Sequence, residues 1–275
     1  MRLLDHRSAA ASTRPAAAPA GAAGAPRKAD LIEGFITGLA VINAFSDATP
    51  LLTASELAAR LSISRAAARR FLITLHHAGY AATDGRSYWL TPKVLALGHS
   101  YLGSARLPRT VRPLLQQITA QTNESSNLAL LDGHDVVYAA RASAARLMSA
   151  AIETGTRLPA HTTAAGRVIL AGLPHALQEQ WLAGATLAPH TAYTVTTKKA
   201  FAAEIRAARA AGYAAVESQF EVGLRGIAVP LAGRDGGTIG ALGISMAASS
   251  CPMDQAIRAC VPVLRDAALQ LRDLI

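Results

Sequence analysis

Apolar residues recur at Leu31, Phe35, Leu39, Ile42 and Phe45, the spacing of one helix face, and Pro50 closes that element. Thr53-Ala54-Ser55-Glu56 follows as a capping box, in which the Thr hydroxyl takes the third amide and Glu56 reaches back to the cap amide. A short helix to Leu61 is therefore expected. Ser62-Ile63-Ser64 reads as a tight connection, with Ser64 capping a third helix that runs to about Ala78 and ends at Gly79. Tyr80 to Thr83 and Arg86 to Leu90 then flank Asp84-Gly85, a strong hairpin signal. Helix, helix, turn, helix and hairpin in this order predict a winged helix-turn-helix over residues 30–92.

Pro92 sits where a further helix can begin, and Val94, Leu95, Leu97 and Leu102 give it one apolar face. It reads as a connector over residues 93–108, broken by Gly103 to Pro108. Beyond it a helix is expected around Arg109 to Thr122, with Val111, Leu114, Leu115 and Ile118 on one stripe. Strands at Asn127 to Leu131 and Val136 to Arg141 are joined by Asp132-Gly133-His134-Asp135, which is short enough to make them antiparallel. A third strand near Met148 to Ile152 leads to a small helix capped by Thr162 or Thr163 and ended by Gly172-Leu173-Pro174. A helix over Ala200 to Ala211, strands at Tyr213 to Glu217, Ile227 to Leu231 and Thr238 to Met246, and a helix from Asp254 to about Leu274 complete the pattern. Short hairpin links imply an α+β domain over residues 109–275, an antiparallel sheet with helices packed on it.

Composition locates the charge. Of 275 residues 51% are hydrophobic and only 16% charged, so the net +9 arises at few positions. Residues 1–100 carry 11 basic and 6 acidic residues, and the remainder 16 and 12. The first 29 residues are mostly Ala, Pro, Gly and Arg without the apolar run of a signal peptide, and a disordered basic tail is the expectation. A transit peptide or a DNA-steering arm are the alternatives. No apolar run approaches the ~18 residues of a membrane-spanning helix. Cys251 and Cys260 form no disulfide framework, no CxxC pair and no metal-ligand set with histidine, so a cytoplasmic protein without metal or cofactor is expected.

At 100° per residue, Ala68, Phe71, Leu72 and Leu75 fall on one side of the third helix, and Ala66, Arg69, Arg70, Ile73 and His77 on the other. That second face has two arginines and no acid. An apolar back that fixes the angle and a basic front that reaches phosphates and guanine edges are what a recognition helix requires. Arg70, nearest the centre of the arc, is the first choice for a base contact, Arg69 the second, and Arg65 at the helix start a phosphate contact. Arg86 at the hairpin tip is placed to enter the minor groove or meet the backbone. The expected DNA-facing set is Ser64, Arg65, Arg69, Arg70, Ile73, His77 and Arg86, with double-stranded DNA as partner. From Ser55 to Lys93 the basic residues are Arg60, Arg65, Arg69, Arg70, Arg86 and Lys93, against Glu56 and Asp84.

Enzyme patterns are weak. Gly243-Ile244-Ser245-Met246-Ala247 has the letters of a nucleophile elbow, but the last histidine is His190, so none follows Ser245. Gly236, Gly237, Gly240 and Gly243 lie in a hairpin and strand and open no helix, unlike a dinucleotide fingerprint. His76 and His77 are adjacent and point about 100° apart, so they do not readily bind one metal together. A small-molecule enzyme with an accessory DNA-binding-like domain and an architectural DNA protein without effector are the competing classes.

The chain resembles the IclR family of bacterial transcriptional regulators from roughly Ile32 to Ile275. The match rests on Leu52-Thr53-Ala54-Ser55-Glu56-Leu57-Ala58, Arg69 to Leu75, Gly79-Tyr80, Tyr88 to Pro92, Gly212-Tyr213-Ala214, Glu217, Gly223, Ile227 to Pro230, Gly237 and Ile244-Ser245. The resemblance implies a linker helix and a GAF-like effector-binding domain, in homodimers or dimers of dimers. Arg141-Ala142-Ser143, Met148-Ser149, Arg157 to Ala160, Thr162 and Gly166-Arg167-Val168 are similar to the branch controlling protocatechuate and 4-hydroxybenzoate breakdown. Gly226 departs from relatives that carry a larger residue there.

This resemblance places a small carboxylate effector between His161 to Gly166 and the strands around Glu217, Gly226 and Ser245. Thr162, Thr163 and Ser245 would offer hydroxyls, and amides of the helix starting at Thr163 an anion site. Arg141 either pairs with the carboxylate or faces solvent or a partner subunit. His161 is a ligand donor or a polar loop residue, Ser245 a ligand donor or a strand-end group, and Glu217 a site residue or a structural acid.

Overall fold

A computed structural model describes residues 27–46, 48–98, 106–144 and 152–272. Most of the expected 1–29 tail and of the strand near Met148 to Ile152 lies outside these residues; Lys28–Asp30 form one 3-10 turn. The chain divides into two compact units between Val94 and Leu95.

The first unit holds α1 (Glu33–Asn43), β1 (Leu52–Thr53), α2 (Ala54–Leu61), α3 (Arg65–His77), β2 (Ala81–Thr83) and β3 (Ser87–Leu90). Its strands form an antiparallel sheet in the order β1-β3-β2. The capping box forms: Thr53 Oγ1 accepts from the Glu56 amide and Glu56 Oε2 accepts from the Thr53 amide. Ser64 Oγ accepts from the Ala67 amide and starts α3. Gly79, at φ +79°, turns the chain out of it, a conformation that a Cβ would strain. Val41, Leu52, Leu57, Ala68 and Leu72 make the core. The apolar face of α1 is only partly used: Val41 is buried, while Phe35 is 65% exposed and Ile32, Ile36 and Leu39 are exposed with it.

The second unit is built on an antiparallel six-stranded sheet, ordered β6-β5-β4-β9-β8-β7. The strands are β4 (Ser125–Asp132), β5 (Asp135–Ala142), β6 (Arg157–Pro159), β7 (Ala214–Glu217), β8 (Leu224–Ala232) and β9 (Thr238–Ala247). Helices α4 (Arg106–Thr122) and α8 (Met253–Arg272) cover one face, with Leu115, Ile118, Cys260 and Leu264 against Leu128, Ile227, Leu242 and Ile244. On the other face lie α5 (Ala164–Gly172), α6 (His175–Gly184) and α7 (Lys198–Ala211), packed through Val168, Ile169, Trp181, Phe201 and Ile205. The short strand β6 and helix α6 are additions to the sequence reading. Arg106–Pro108, expected to break the connector, are helical residues of α4; Gly103 to Ala105 lie outside the described residues. Ser245 sits inside β9, not on a strand-to-helix turn, so the elbow-like letters do not make an elbow.

One irregularity sets what the sheet presents. In the β4–β5 ladder Leu128 pairs with Ala140 but Ala129 pairs with Tyr138, so Ala139 is an extra residue. Past this bulge the faces of β5 exchange, and Arg141, opposite Asn127, lies on the same face as Tyr138. Both cysteines are free, and burial pushes the Cys260 thiol up to about 11. Among the described residues no helix is long and apolar enough to cross a membrane, and no cluster of His, Cys, Asp or Glu is suited to a metal.

Candidate functional site

Each unit presents one site. In the first, burial of Ala68 and Leu72 turns the opposite face of α3 outward, and Arg65, Arg69, Arg70, Ile73 and His77 are all exposed. The side chains of Arg65, Arg69 and Arg70 make no hydrogen bond or ion pair among the described residues. Ser64, at the head of this face, has its hydroxyl on the helix cap.

The wing turn is closed by Asp84, whose Oδ1 accepts from the amides of Arg86 and Ser87; these bonds, chiefly that from Ser87, hold its carboxyl below the usual range. Gly85 takes φ +96° there, and Arg86 stays in the turn because β3 starts at Ser87. Two residues counted in the basic excess are engaged elsewhere. Arg60 Nη1 donates to the Ala44 carbonyl and to Thr49 Oγ1. Lys93 Nζ donates to the Ala78 carbonyl at 2.7 Å, where a cation suits the end of α3, and sits over the Tyr80 ring. His76 bonds the Ala81 carbonyl, leaving His77 on the open face.

The second site is a cavity of about 450 Å³, its mouth included, between the sheet and the start of α5. Strand register places Asn127, Gly243 and Ala228 in one row of its floor and Ser245 and Gly226 in the next. Asn127 Nδ2 donates to Ser245 Oγ at 3.2 Å, leaving the hydroxyl proton of Ser245 for another acceptor. A Cβ on Gly243 would come within 2.8 Å of Asn127 Oδ1, so this floor needs glycine there. Apolar walls come from Ile152, Leu158, Val216, Phe220 and Leu224.

Of the residues expected around the effector, Thr162, Thr163, Gly226 and Ser245 line the cavity. The two threonines have spent their protons: Thr162 Oγ1 donates to the Pro159 carbonyl, and Thr163 Oγ1 donates to the Ala160 carbonyl while accepting from the Gly166 amide. What this end of the cavity offers an anion is the first-turn amides of Ala164 and Ala165, which have no acceptor within the helix.

The other four expected residues lie off the wall. Gly166 is a packing residue, since a Cβ there would fall 2.1 Å from the Ala160 carbonyl oxygen. His161 is buried, its Nε2 against the Ala188 carbonyl at 3.0 Å and its ring beside His190 and Phe201; burial lowers its pKa. Glu217 is a structural acid, accepting from Arg225, whose guanidinium also donates to the carbonyls of Ala248 and Cys251. Arg141 is half-buried on the cavity face and donates through Nε to Ser143 Oγ.

Sequence reasoning passed over Asn127, Tyr138 and Gln219 on this wall. Tyr138 is buried, its phenol is pushed up to about 12 by burial, and its hydroxyl has no hydrogen-bond partner among the described residues. A polar Ser125-x-Asn127 alternation inside a strand buried on both faces was the available signal.

Comparison with known families decides what kind of molecule carries these two sites. The family model "IclR helix-turn-helix domain" matches residues 38–85, and "Bacterial transcriptional regulator IclR C-terminal" matches residues 99–273. The chain belongs to the IclR family. This makes it a DNA-binding transcriptional regulator, and the α3 face and the cavity are the candidate reading and sensing sites of an IclR-family protein. It is 38% identical to the Pca regulon regulatory protein of Pseudomonas putida over 88% of this chain and 84% of the relative. It is 36% identical to the p-hydroxybenzoate hydroxylase transcriptional activator of Acinetobacter baylyi, over 90% and 94%. Among solved structures it is similar to a double mutant of the PobR inducer-binding domain of Acinetobacter, complexed with 3-hydroxybenzoic acid. That similarity has 32% identity and a TM-score of 0.59, covering 62% of this chain and all of the other.

Proposed function

We propose that this regulator reads DNA through Arg65, Arg69, Arg70, Ile73, His77 and the wing Arg86, and senses a hydroxylated aromatic monocarboxylate in the cavity of its second unit. The observation that carries the sensing half is the set of donors left open on a wall with apolar Ile152, Leu158, Val216, Phe220 and Leu224: the Ser245 and Tyr138 hydroxyls and the amides of Ala164 and Ala165. A carboxylate meets the start of α5, and ring hydroxyls meet the strand side. The names of the two relatives, and the acid held by the PobR domain, support this chemistry.

The working form is a cytoplasmic homodimer or dimer of dimers. The exposed apolar stripe Ile32, Phe35, Ile36 and Leu39 supports self-association, because a lone subunit leaves it in water. Residues 30–92 act as the reading head, 93–108 as connector and 109–275 as sensor. The effector shifts operator binding by having different affinity for two placements of the reading heads, which must enter grooves about 34 Å apart or a multiple of this.

The test is thermal denaturation of the full chain with 4-hydroxybenzoate, 3-hydroxybenzoate and protocatechuate. A ligand at about one hundred times its Kd adds ~2.7 kcal/mol of stability and raises Tm. Gly226→Val should abolish that rise, since a Cβ at Gly226 already stands 3.7 Å from Ala164 Cβ and further methyls fill the cavity. If none of the acids moves the wild-type Tm, the effector class is wrong.

A further inference from the structure

Arg167 lies three residues beyond Ala164, on the same face of α5, and a helical side chain leans back toward the N-terminal turn. It is only 3% exposed. Its Nη1 donates to Glu204 Oε2 on α7 at 3.1 Å, and its Nη2 donates to Gln219 Oε1 at 2.8 Å. Nε is buried without a hydrogen-bond partner among the described residues. Burial, the larger influence, and Glu204 act on this guanidinium in opposite directions, and the carboxylate that balances it is half exposed.

Gln219 is the other end of the connection. It follows β7 and lines the cavity, and its backbone carbonyl accepts from Thr194 Oγ1 at 2.7 Å, which fixes its main chain. Its amide oxygen is held by Arg167 and also faces the Val195 amide. The group left for the cavity is Nε2, which can only donate.

The geometry points to Gln219 as a specificity-determining residue that donates from Nε2 to the effector's carboxylate, and to Arg167 as the positioning residue that holds its amide in that sense. This rests on the reading of the cavity as an acid site and names how the acid is told from its neutral analogue. The carboxylate, an acceptor at both oxygens, matches a corner made of the Ala164 and Ala165 amides and a donor-only Gln219, with a buried cation behind it.

The test uses the full chain, calorimetric titration and two probes of one shape, 4-hydroxybenzoate and 4-hydroxybenzamide. Gln219→Glu keeps the size and the bond to Arg167 but turns an acceptor to the cavity, so the acid should weaken by about tenfold or more while the amide holds or gains. Arg167→Lys keeps the charge but not the two-armed fork, and should weaken the acid similarly. In a Gln219→Leu background it should cost nothing more, because its action passes through Gln219. Unchanged acid binding by Gln219→Glu, or additive losses in the double variant, overturns the inference while the acid-sensing reading stands. A wild type that shifts DNA but binds neither probe overturns both.

Discussion

Arg69 and Arg70 are exposed on α3 with no side-chain partner among the described residues, whereas Arg167 and Arg225 are each only 3% exposed and each bonded to a glutamate plus further acceptors. The difference is one of desolvation. An exposed guanidinium carries no standing cost and is free to exchange water and counterions for phosphate or a guanine edge. A buried one is tolerable when it is paired with a carboxylate and most of its donors are occupied, and this makes it a fixture that holds loops and strands in place. The contrast teaches that net charge does not report function; solvation of each cation does.

The largest effect that can break this comparison belongs to Arg225→Met, which strips Glu217 and the carbonyls of Ala248 and Cys251 of their donor. Denaturant unfolding should show a loss of about 3 kcal/mol, with operator binding in gel-shift titration unaltered at temperatures where the chain is folded. Next is Arg70→Ala, for which gel-shift titration should show a loss of ~2 kcal/mol for the operator and relaxed sequence preference. Its unfolding should stay within about 0.5 kcal/mol of wild type. Equal destabilisation by both substitutions would erase the contrast.

The smallest effect concerns the buried histidine. The imidazole of His161 is depressed below its ordinary value of 6.5, chiefly by burial, so the unfolded chain takes up its proton first as pH falls. The stability His161 contributes is complete above that range and declines as pH drops through the ordinary value toward the depressed one. His161→Gln should flatten the dependence of Tm on pH between about 7 and 5, and an unchanged slope would place the titration elsewhere.

The first unit was largely legible in the sequence because its signals are local. The Thr53–Glu56 box, the Ser64 cap, Gly79 and Asp84-Gly85 each specify geometry within a few residues, and the apolar back of α3 fixes its open face. Even here Arg60 and Lys93 were counted with the DNA-facing charge, since their carbonyl partners lie 16 and 15 residues away. In the second unit the elements were legible and their side-chain company was not. Gly166 sits where a ligand contact was expected, but the reason for glycine is the Ala160 backbone. Gln219 owes its orientation to Arg167, 52 residues earlier. Three-residue β6 is too short for any periodicity to announce it.

The extra residue at Ala139 gives β5 two phases. Up to Tyr138 one parity of positions faces the cavity, and after the bulge the other parity does, which is how Arg141 comes to stand opposite Asn127. Drawing Ala139 into the ladder as a regular residue would move Arg141 opposite Ser126 and turn it toward the side where Leu115 and Ile118 pack, a place with no room for a charge, whereas deleting Ala139 would leave Arg141 opposite Asn127. The chemical character of one edge of the cavity is thus written in how a strand absorbs one extra residue, a property of ladder register and not of any single side chain.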